Sequence, residues 1–183
     1  MTDGVILETA RLVLRRMREG DVDALHRVLA DPSEAHLYTP AMTREGVVEW
    51  IDLNLQRYRD FAYGMWAMVR KDNRELIGDC GLIPQKLPDP ESNEIEVSYH
   101  VRPDQRCQGL AAEAAQAVRD YAFERLGCER VISLIKPKNL PSRRVAEKNG
   151  MQVARQIERR SGQHDVWIIT RVEWLGQRSG ANG

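Results

Sequence analysis

The chain has 183 residues, of which 42% are hydrophobic and 30% are charged. Lys and Arg together number 27 and Asp and Glu number 27, so the formal net charge is zero. This length predicts one domain with its own core, and the composition argues against wholesale disorder. The zero net charge argues against a nucleic-acid partner, because proteins that bind the phosphate backbone usually carry a basic surplus.

The sequence shows neither a membrane anchor nor a secretion signal. No apolar run approaches the roughly 18 residues of a transmembrane helix. The segment from Met1 to Glu8 lacks the basic start and the apolar core of a signal peptide. We therefore expect a cytoplasmic protein without a membrane partner.

Cysteine and histidine usage argues against structural cross-links. The three cysteines, Cys80, Cys107 and Cys128, are odd in number and widely spaced, which does not fit a disulfide framework. The sequence has no Cys-x-x-Cys and no histidine pair at zinc-site spacing. We expect three reduced thiols and no metal.

Hydrophobic periodicity and turn residues predict the elements in chain order. The predicted strands are 11–16, 65–70, 75–83, 94–101, 131–135, 151–158 and 164–172. Helices are expected after the N-cap residues Asp21 and Thr43, from Gly109 to about Leu126, and from Pro141 to Gly150. The Pro-rich stretch 84–93 is predicted to be a loop. Residues 1–175 should form the single domain, and the Gly- and Ser-containing tail 176–183 should be disordered.

This order combines an antiparallel first half with a strand–helix–strand unit in the middle. It predicts an α/β (α+β) fold with a single mixed, mostly antiparallel sheet and helices on both faces.

The junction between strand 94–101 and the following helix has features of an anion site. The first N–H groups of a helix have no partner within the helix and lie at the positive end of its dipole, so a phosphate is favoured there. Gly109 allows close approach of a ligand, and Arg106 adds positive charge. Many helices begin with glycine, and for this stretch alone a purely structural role is the commoner explanation.

The same stretch resembles a known signature. The Q/R-x-x-G-x-G/A loop of the GNAT N-acetyltransferases is similar to Arg106-Cys107-Gln108-Gly109-Leu110-Ala111. Over residues 8–174, further segments resemble the ribosomal-protein-alanine acetyltransferase (RimJ/RimL-like) branch in the correct order. These segments are Glu8 to Arg15, Leu76 to Leu82 and Asn139 to Met151. The chain departs from the family at Cys107 and Ser98, where the family often has glycine, and at Met151, where it usually has an aromatic residue.

The resemblance implies the GNAT fold and acetyl-coenzyme A as co-substrate, with the pyrophosphate held by the loop from Arg106 to Ala111. The implied coenzyme-binding residues are Tyr99, His100, Val101, Arg106, Cys107, Gln108, Gly109, Leu110, Ala111, Asn139 and Ser142. Structural alternatives remain for three of these: Tyr99 is also suited to the core, and Asn139 or Ser142 can cap the helix that follows.

Four polar residues alternate along strand 94–101, namely Glu94, Glu96, Ser98 and His100. Alternation places them on one face, which for an arbitrary antiparallel strand indicates solvent exposure. The resemblance instead aligns Glu96 with a carboxylate that is often assigned as the base.

Candidate substrate contacts and a proton donor complete the predicted site. The resemblance places Ser142 near the thioester sulfur, as a donor to the leaving thiolate. Candidate substrate contacts are Glu94, Ser98 and two residues of the loop between the first two helices, His36 and Tyr38. For the two loop residues, a role as loop filler is equally compatible with the sequence.

The implied reaction is direct transfer of acetyl to a primary amine in a ternary complex. The acceptor is either a protein N-terminal α-amine or a small-molecule amine. Cys107 is not expected to be a nucleophile, because no base is identifiable beside it. The alternative is a non-catalytic acyl-coenzyme A-binding or regulatory domain on the same fold. We expect a monomer or a homodimer.

Overall fold

One eight-stranded sheet with flanking helices organises the chain. The computed structural model describes residues 4–31, 41–88 and 91–180. The elements are β1 Val5–Glu8, β2 Leu12–Arg15, α1 Val22–Leu29, α2 Arg44–Asp60, β3 Met65–Arg70, β4 Leu76–Leu87, β5 Ser92–Val101, α3 Leu110–Glu124, β6 Arg130–Ile135, α4 Leu140–Lys148, β7 Gln152–Arg159, β8 Gly162–Thr170 and α5 Arg171–Gly180.

The strand order is β1-β2-β3-β4-β5-β6-β8-β7. All neighbouring strands are antiparallel except β5 and β6, which are parallel and are joined through α3. Alternate residues of β3 show that both faces of the sheet are covered. Trp66 and Met68 pack in one core cluster with α3, whereas Met65 and Ala67 pack in another with α1 and α2. The predicted mixed, mostly antiparallel sheet with helices on both faces is confirmed.

The parallel pair β5–β6 is the place where the sheet opens. The two strands are in register at Glu96 and Ile132. The Ser133 hydroxyl donates to the Val97 carbonyl at 2.8 Å just beyond that pair. Past this point a cavity lies between residues 97–100 of β5 and residues 133–135 of β6. The ends of these two strands therefore form the walls of a cleft.

Helix starts agree with the residues that the sequence marked as caps. The Thr43 hydroxyl accepts from the Gly46 N–H at 3.1 Å, and Asn139 Oδ1 accepts from the Ser142 N–H at 3.2 Å. Gly109 precedes α3 with φ +78°, a left-handed conformation that glycine adopts without strain.

The predicted loop at 84–93 was wrong at both ends, because β4 continues to Leu87 and β5 begins at Ser92. Proline normally interrupts a central strand because it lacks an N–H donor. Pro84 is tolerated because β3 begins at Met65, opposite Gly81, so Pro84 lies beyond the end of that neighbour. Its pairing is with β5 alone.

Both ends of the described chain carry elements that the sequence did not indicate. β1 pairs antiparallel with β2 ahead of the first predicted strand. Residues 176–180, predicted to be disordered, belong to α5. This helix is held by Trp174, which is 3% exposed and donates from Nε1 to Asp120 Oδ1 at 2.8 Å. Arg178 adds an ion pair with Glu124.

Residues 4–31, 41–88 and 91–180 contain no helix long and apolar enough to cross a membrane. The same ranges hold no group of three or more His, Cys, Asp or Glu side chains suited to a metal ion. The three cysteines are free thiols. Burial raises the pKa of Cys80 and of Cys128, which keeps both protonated.

Candidate functional site

A cavity of about 490 Å³ lies at the junction of β5 and α3, around the predicted coenzyme loop. Nine of the eleven predicted coenzyme-binding residues line it: Tyr99, His100, Val101, Arg106, Cys107, Gly109, Leu110, Ala111 and Ser142. The α4 residues Arg144 and Lys148 add positive charge to the opposite wall. The structure thus brings the loop from Arg106 to Ala111, the end of β5 and the helix α4 to one cavity.

The backbone of the loop has an unusual conformation at two positions. Gly109 has φ +78° and Cys107 has φ +61°. A left-handed residue next to a right-handed one can turn successive N–H groups toward a common side, a geometry that binds anions. Cys107 therefore adopts a backbone geometry that favours glycine, the residue that the resemblance leads us to expect at this position.

A clamp formed by Arg11 and Glu113 fixes the outer side of this loop, and sequence reasoning missed it. Arg11 Nε donates to Glu113 Oε2 at 2.7 Å, and Arg11 Nη1 donates to the Gln108 carbonyl at 2.9 Å. The Thr9 hydroxyl donates to Glu113 Oε1 at 2.6 Å. Gln108, a predicted coenzyme residue, does not line the cavity. Its carbonyl instead ties the loop to the β1–β2 turn.

Arg106 is held at the cavity wall by two partners. Its Nε donates to the Val101 carbonyl at 2.9 Å, and its Nη1 lies 3.3 Å from Asp31 Oδ2 at the end of α1. These contacts orient the guanidinium across the loop, where it lines the cavity.

A second cavity, of about 320 Å³, occupies the cleft between β5 and β6. Of the predicted residues, it is lined by Glu96, Ser98, Tyr99, His100, Asn139 and Ser142. Glu96 is 8% exposed, so the solvent-exposed alternative for this carboxylate is excluded.

The Glu96 carboxylate is held from both sides. Oε1 accepts from the Leu134 N–H at 3.2 Å, and Oε2 accepts from Gln85 Nε2 at 2.5 Å. Burial raises the pKa of Glu96 above its ordinary value, against the opposing effect of these two hydrogen bonds. A carboxyl group with a raised pKa is suited to exchange a proton near neutral pH.

The two cavities meet, because four residues line both of them: Met42, Tyr99, His100 and Ser142. The Tyr99 hydroxyl donates to the Ser142 carbonyl at 3.0 Å, which joins β5 to the start of α4 across this passage. Ser142 is 5% exposed and its N–H is capped by Asn139. A ligand in each cavity would face the other ligand at these residues.

One predicted substrate contact among the described residues, Glu94, does not line the second cavity. Glu94 forms an ion pair with Arg130, whose Nε donates to Glu94 Oε2 at 2.9 Å, and Glu94 lines neither cavity. Alternation gives the face of a strand but not the partner that β6 brings beside it, so the role of Glu94 as a substrate contact stays a prediction. His36 and Tyr38 lie outside the described residues.

Sequence reasoning also missed three basic residues that line the second cavity, namely Lys136, Arg159 and His164. Arg159 Nη2 donates to Gln85 Oε1 at 3.3 Å, so Gln85 links this arginine to Glu96. Burial lowers the pKa of His164, which favours the neutral imidazole. These residues come from β7, β8 and the end of β6, and no contiguous motif signals them.

Comparison with known proteins identifies the family. The family model described as "Acetyltransferase (GNAT) domain" matches residues 11–152. YkkB of Bacillus subtilis, an uncharacterized protein, is 30% identical over 154 residues, which cover 84% of this chain and 88% of that protein.

Solved structures share the fold. An acetyltransferase from Agrobacterium tumefaciens superposes with a TM-score of 0.78 at 25% identity, over 90% of this chain and 94% of that chain. RimL, a ribosomal L7/L12 alpha-N-protein acetyltransferase solved with coenzyme A, superposes with a TM-score of 0.74 over 91% of this chain and 97% of that chain. At 17% identity, RimL supports the fold alone. From the family model and the relative in B. subtilis, this chain belongs to the GNAT acetyltransferase family.

Proposed function

We propose that this protein is an acetyl-coenzyme A-dependent N-acetyltransferase that transfers acetyl directly to a primary amine in a ternary complex. The observation that carries the proposal is the meeting of two cavities with different binding groups at four shared residues. One has an anion-binding loop at the start of a helix, and the other has a buried carboxylate. Holding two reactants in line at such a meeting point supplies a large part of the catalysis of a bimolecular reaction.

The residues around the first cavity suit coenzyme A. Its pyrophosphate would be held by the N–H groups at the start of α3 and by the guanidinium of Arg106. Arg144 and Lys148 on the opposite wall would meet further phosphate charge. The bound coenzyme supplies an acetyl thioester. RimL, which was solved in complex with coenzyme A, supports the same ligand class for this fold.

Two roles are open to Glu96 in the second cavity. It can accept the proton of the amine, directly or through a water molecule, or it can bind the positive charge of the acceptor. Loss of a base lowers kcat, whereas loss of a charge that only binds the substrate raises KM. The Ser142 hydroxyl, at the passage, would donate a hydrogen bond to the thiolate that leaves.

The acceptor is a primary amine, either a protein N-terminal α-amine or a small-molecule amine. RimL is an alpha-N-protein acetyltransferase of ribosomal L7/L12. Such an acceptor, and with it the RimJ/RimL-like branch, is our proposal for this chain. A cavity of about 320 Å³ has room for one terminal residue or for one small amine.

A screen of amines and short peptides with acetyl-coenzyme A tests this function. We expect the protein to release free coenzyme A faster with at least one amine than without any amine. The amount of coenzyme A released should equal the amount of acetylated amine formed. A protein that binds acetyl-coenzyme A and acetylates no member of a panel of amino acids, polyamines, drugs and peptide N-termini would instead support the non-catalytic acyl-coenzyme A-binding alternative.

A further inference from the structure

A buried hydrogen-bonded chain connects three residues at the passage between the two cavities. His100 Nδ1 lies 2.7 Å from Asp79 Oδ1, and Trp50 Nε1 donates to Asp79 Oδ2 at 2.9 Å. The Asp79 side chain is completely buried, whereas the His100 side chain is 21% exposed. An ionised carboxylate only accepts hydrogen bonds, so Nδ1 carries the proton and Nε2 is the basic nitrogen of His100.

The fold fixes this chain of contacts tightly. Asp79 of β4 and His100 of β5 are paired residues in the sheet, so their side chains lie on the same face. An ideal Cβ at Gly78 would lie 2.1 Å from the His100 carbonyl oxygen, so β4 and β5 are in close contact there. The Trp50 and His100 rings meet edge to face, with centroids 6.3 Å apart. His100 therefore has one preferred ring orientation.

Burial of Asp79 is expensive unless the charge has a use or a strong partner. An apolar pair of the same size would often stabilise this region as well or better. The other residues from Leu76 to Leu82 are uncharged, and most of them are apolar. A charged group held at this depth and aimed at a histidine on a cavity wall indicates a catalytic arrangement.

The position of His100 distinguishes it from Glu96. His100 lines both cavities, whereas Glu96 lines only the second. The two residues are four positions apart on one strand face, about 13 Å along β5 at 3.3 Å per residue. An amine that attacks a thioester at the passage is therefore nearer to His100 than to Glu96.

We propose that His100 is the base that takes the proton from the attacking amine, with Asp79 and Trp50 as positioning residues and with Glu96 left to bind a positive charge elsewhere on the acceptor. This inference rests on the proposed function. The neutral amine nitrogen forms a bond to the thioester carbon and becomes positively charged, and one proton then passes from this nitrogen to His100 Nε2. The carbon–sulfur bond then breaks, and the sulfur takes that proton to give coenzyme A and the N-acetylamine.

The charged groups around His100 are compatible with this role. Burial by itself lowers the pKa of the imidazole, but the Asp79 carboxylate and the charge of Glu96 raise it. Arg106 of the coenzyme loop opposes them by lowering it. The net direction is upward from the ordinary value of 6.5, toward the range in which a base is effective at neutral pH.

The experiment measures kcat and KM against pH for the acceptor found in the screen, in the full-length protein. We expect His100→Gln to lower kcat about 10²–10⁴-fold and to abolish the acidic limb of the profile. Glu96→Gln should keep that limb and raise KM. His26→Gln, in α1 and lining neither cavity, is the matched histidine control and should behave as wild type.

A second measurement tests the pair itself, without turnover. An NMR titration should give His100 a pKa above 6.5 in the wild type and a lower one in Asp79→Asn, with the acidic limb of kcat shifting in parallel. If Asp79→Asn does not fold, a wild-type value at or below 6.5 would still overturn the role of the pair.

The outcomes separate the two proposals. If the wild-type protein is active and the dependence of kcat on pH is unchanged in His100→Gln, only the assignment of His100 as the base is overturned. Loss of the acidic limb in Glu96→Gln instead of His100→Gln would give the base to Glu96. Wild-type protein that acetylates no amine would remove the proposed function and the role of His100 with it.

Discussion

The two cavities are built from different parts of the chain and in different ways. The first cavity, which we propose for the coenzyme and call the coenzyme cavity, depends on the contiguous loop from Arg106 to Ala111. The second, which we propose for the amine and call the acceptor cavity, depends on side chains from β5, β6, β7 and β8 that are far apart in sequence. Recognition by backbone N–H groups requires a particular conformation at only a few residues, such as Gly109. Recognition by side chains depends on the identity of each residue, and that identity can change from one protein to another. The comparison explains why the coenzyme is easier to assign than the acceptor.

The strongest test of this difference is to block the access of a ligand to the backbone of the loop from Arg106 to Ala111. Gly109→Trp places a large side chain where the phosphate should approach the start of α3. We expect acetyl-coenzyme A to raise the Tm of wild type and to leave that of Gly109→Trp unchanged, because a ligand stabilises only the state that binds it.

A control must separate the effect of backbone strain at a left-handed residue from the effect of a side chain that fills the cavity. Gly127, beyond the other end of α3, has φ +68° and open space around it. Gly127→Trp therefore carries similar backbone strain away from the cavity and should retain the Tm shift. A shift that survives in Gly109→Trp would show that the coenzyme binds elsewhere.

On the acceptor side, a single carboxylate provides the corresponding test. Glu96→Gln should raise the KM for the amine by about 10–100-fold, because a hydrogen bond to a charged group contributes about 1.5–3 kcal/mol. The affinity for acetyl-coenzyme A should be unchanged, since Glu96 does not line the coenzyme cavity. A fall in kcat with constant KM would contradict the binding role.

Cys107 gives a smaller effect that sharpens the account of the loop. Left-handed backbone costs a non-glycine residue about 1–2 kcal/mol, and the added freedom of glycine in the unfolded chain offsets about 0.4–1 kcal/mol of that. Cys107→Gly should therefore stabilise the protein by up to about 1.5 kcal/mol in denaturant unfolding.

The matched variant for this strain is Arg74→Gly in the β3–β4 turn, where φ is +63°. It should give a similar gain at a site that lines neither cavity. Both variants should bind coenzyme A as the wild type does. A markedly weaker affinity in Cys107→Gly would mean that the thiol itself contributes to binding.

The smallest effect concerns stability against pH. The pKa of His100 is raised in the folded protein, so its pairing with Asp79 contributes fully below 6.5 and is lost as the pH rises through the folded-state value. The difference in unfolding free energy between wild type and His100→Gln should shrink over that interval. If this difference in unfolding free energy stays constant with pH, His100 has the same pKa in the folded and the unfolded protein.

Sequence patterns predicted what is local in this protein. The caps at Thr43 and Asn139, the start of α3 at Gly109 and the alternation along β5 are set by neighbouring residues, and the structure has them all. Pro84 misled the prediction because its tolerance depends on where β3 begins, which is a property of the sheet.

The arrangement around His100 could not be predicted in the same way. Trp50, Asp79 and His100 come from α2, β4 and β5, and only the register of β4 against β5 brings the last two together. One signal was present: Asp79 is a lone charge in an otherwise uncharged strand segment. Glu94 illustrates the converse, since it shares the strand face of Glu96 yet pairs with Arg130 of β6.

Mass spectrometry with isotope-labelled acetyl-coenzyme A tests the central claim most directly, because it follows the acetyl group on both protein and amine. We predict that the protein mass stays unchanged with acetyl-coenzyme A alone, and that the label appears on the amine when the acceptor is added. Label that remains on the coenzyme with every amine would contradict the transferase. Label that accumulates on Cys107 before reaching the amine would contradict direct transfer.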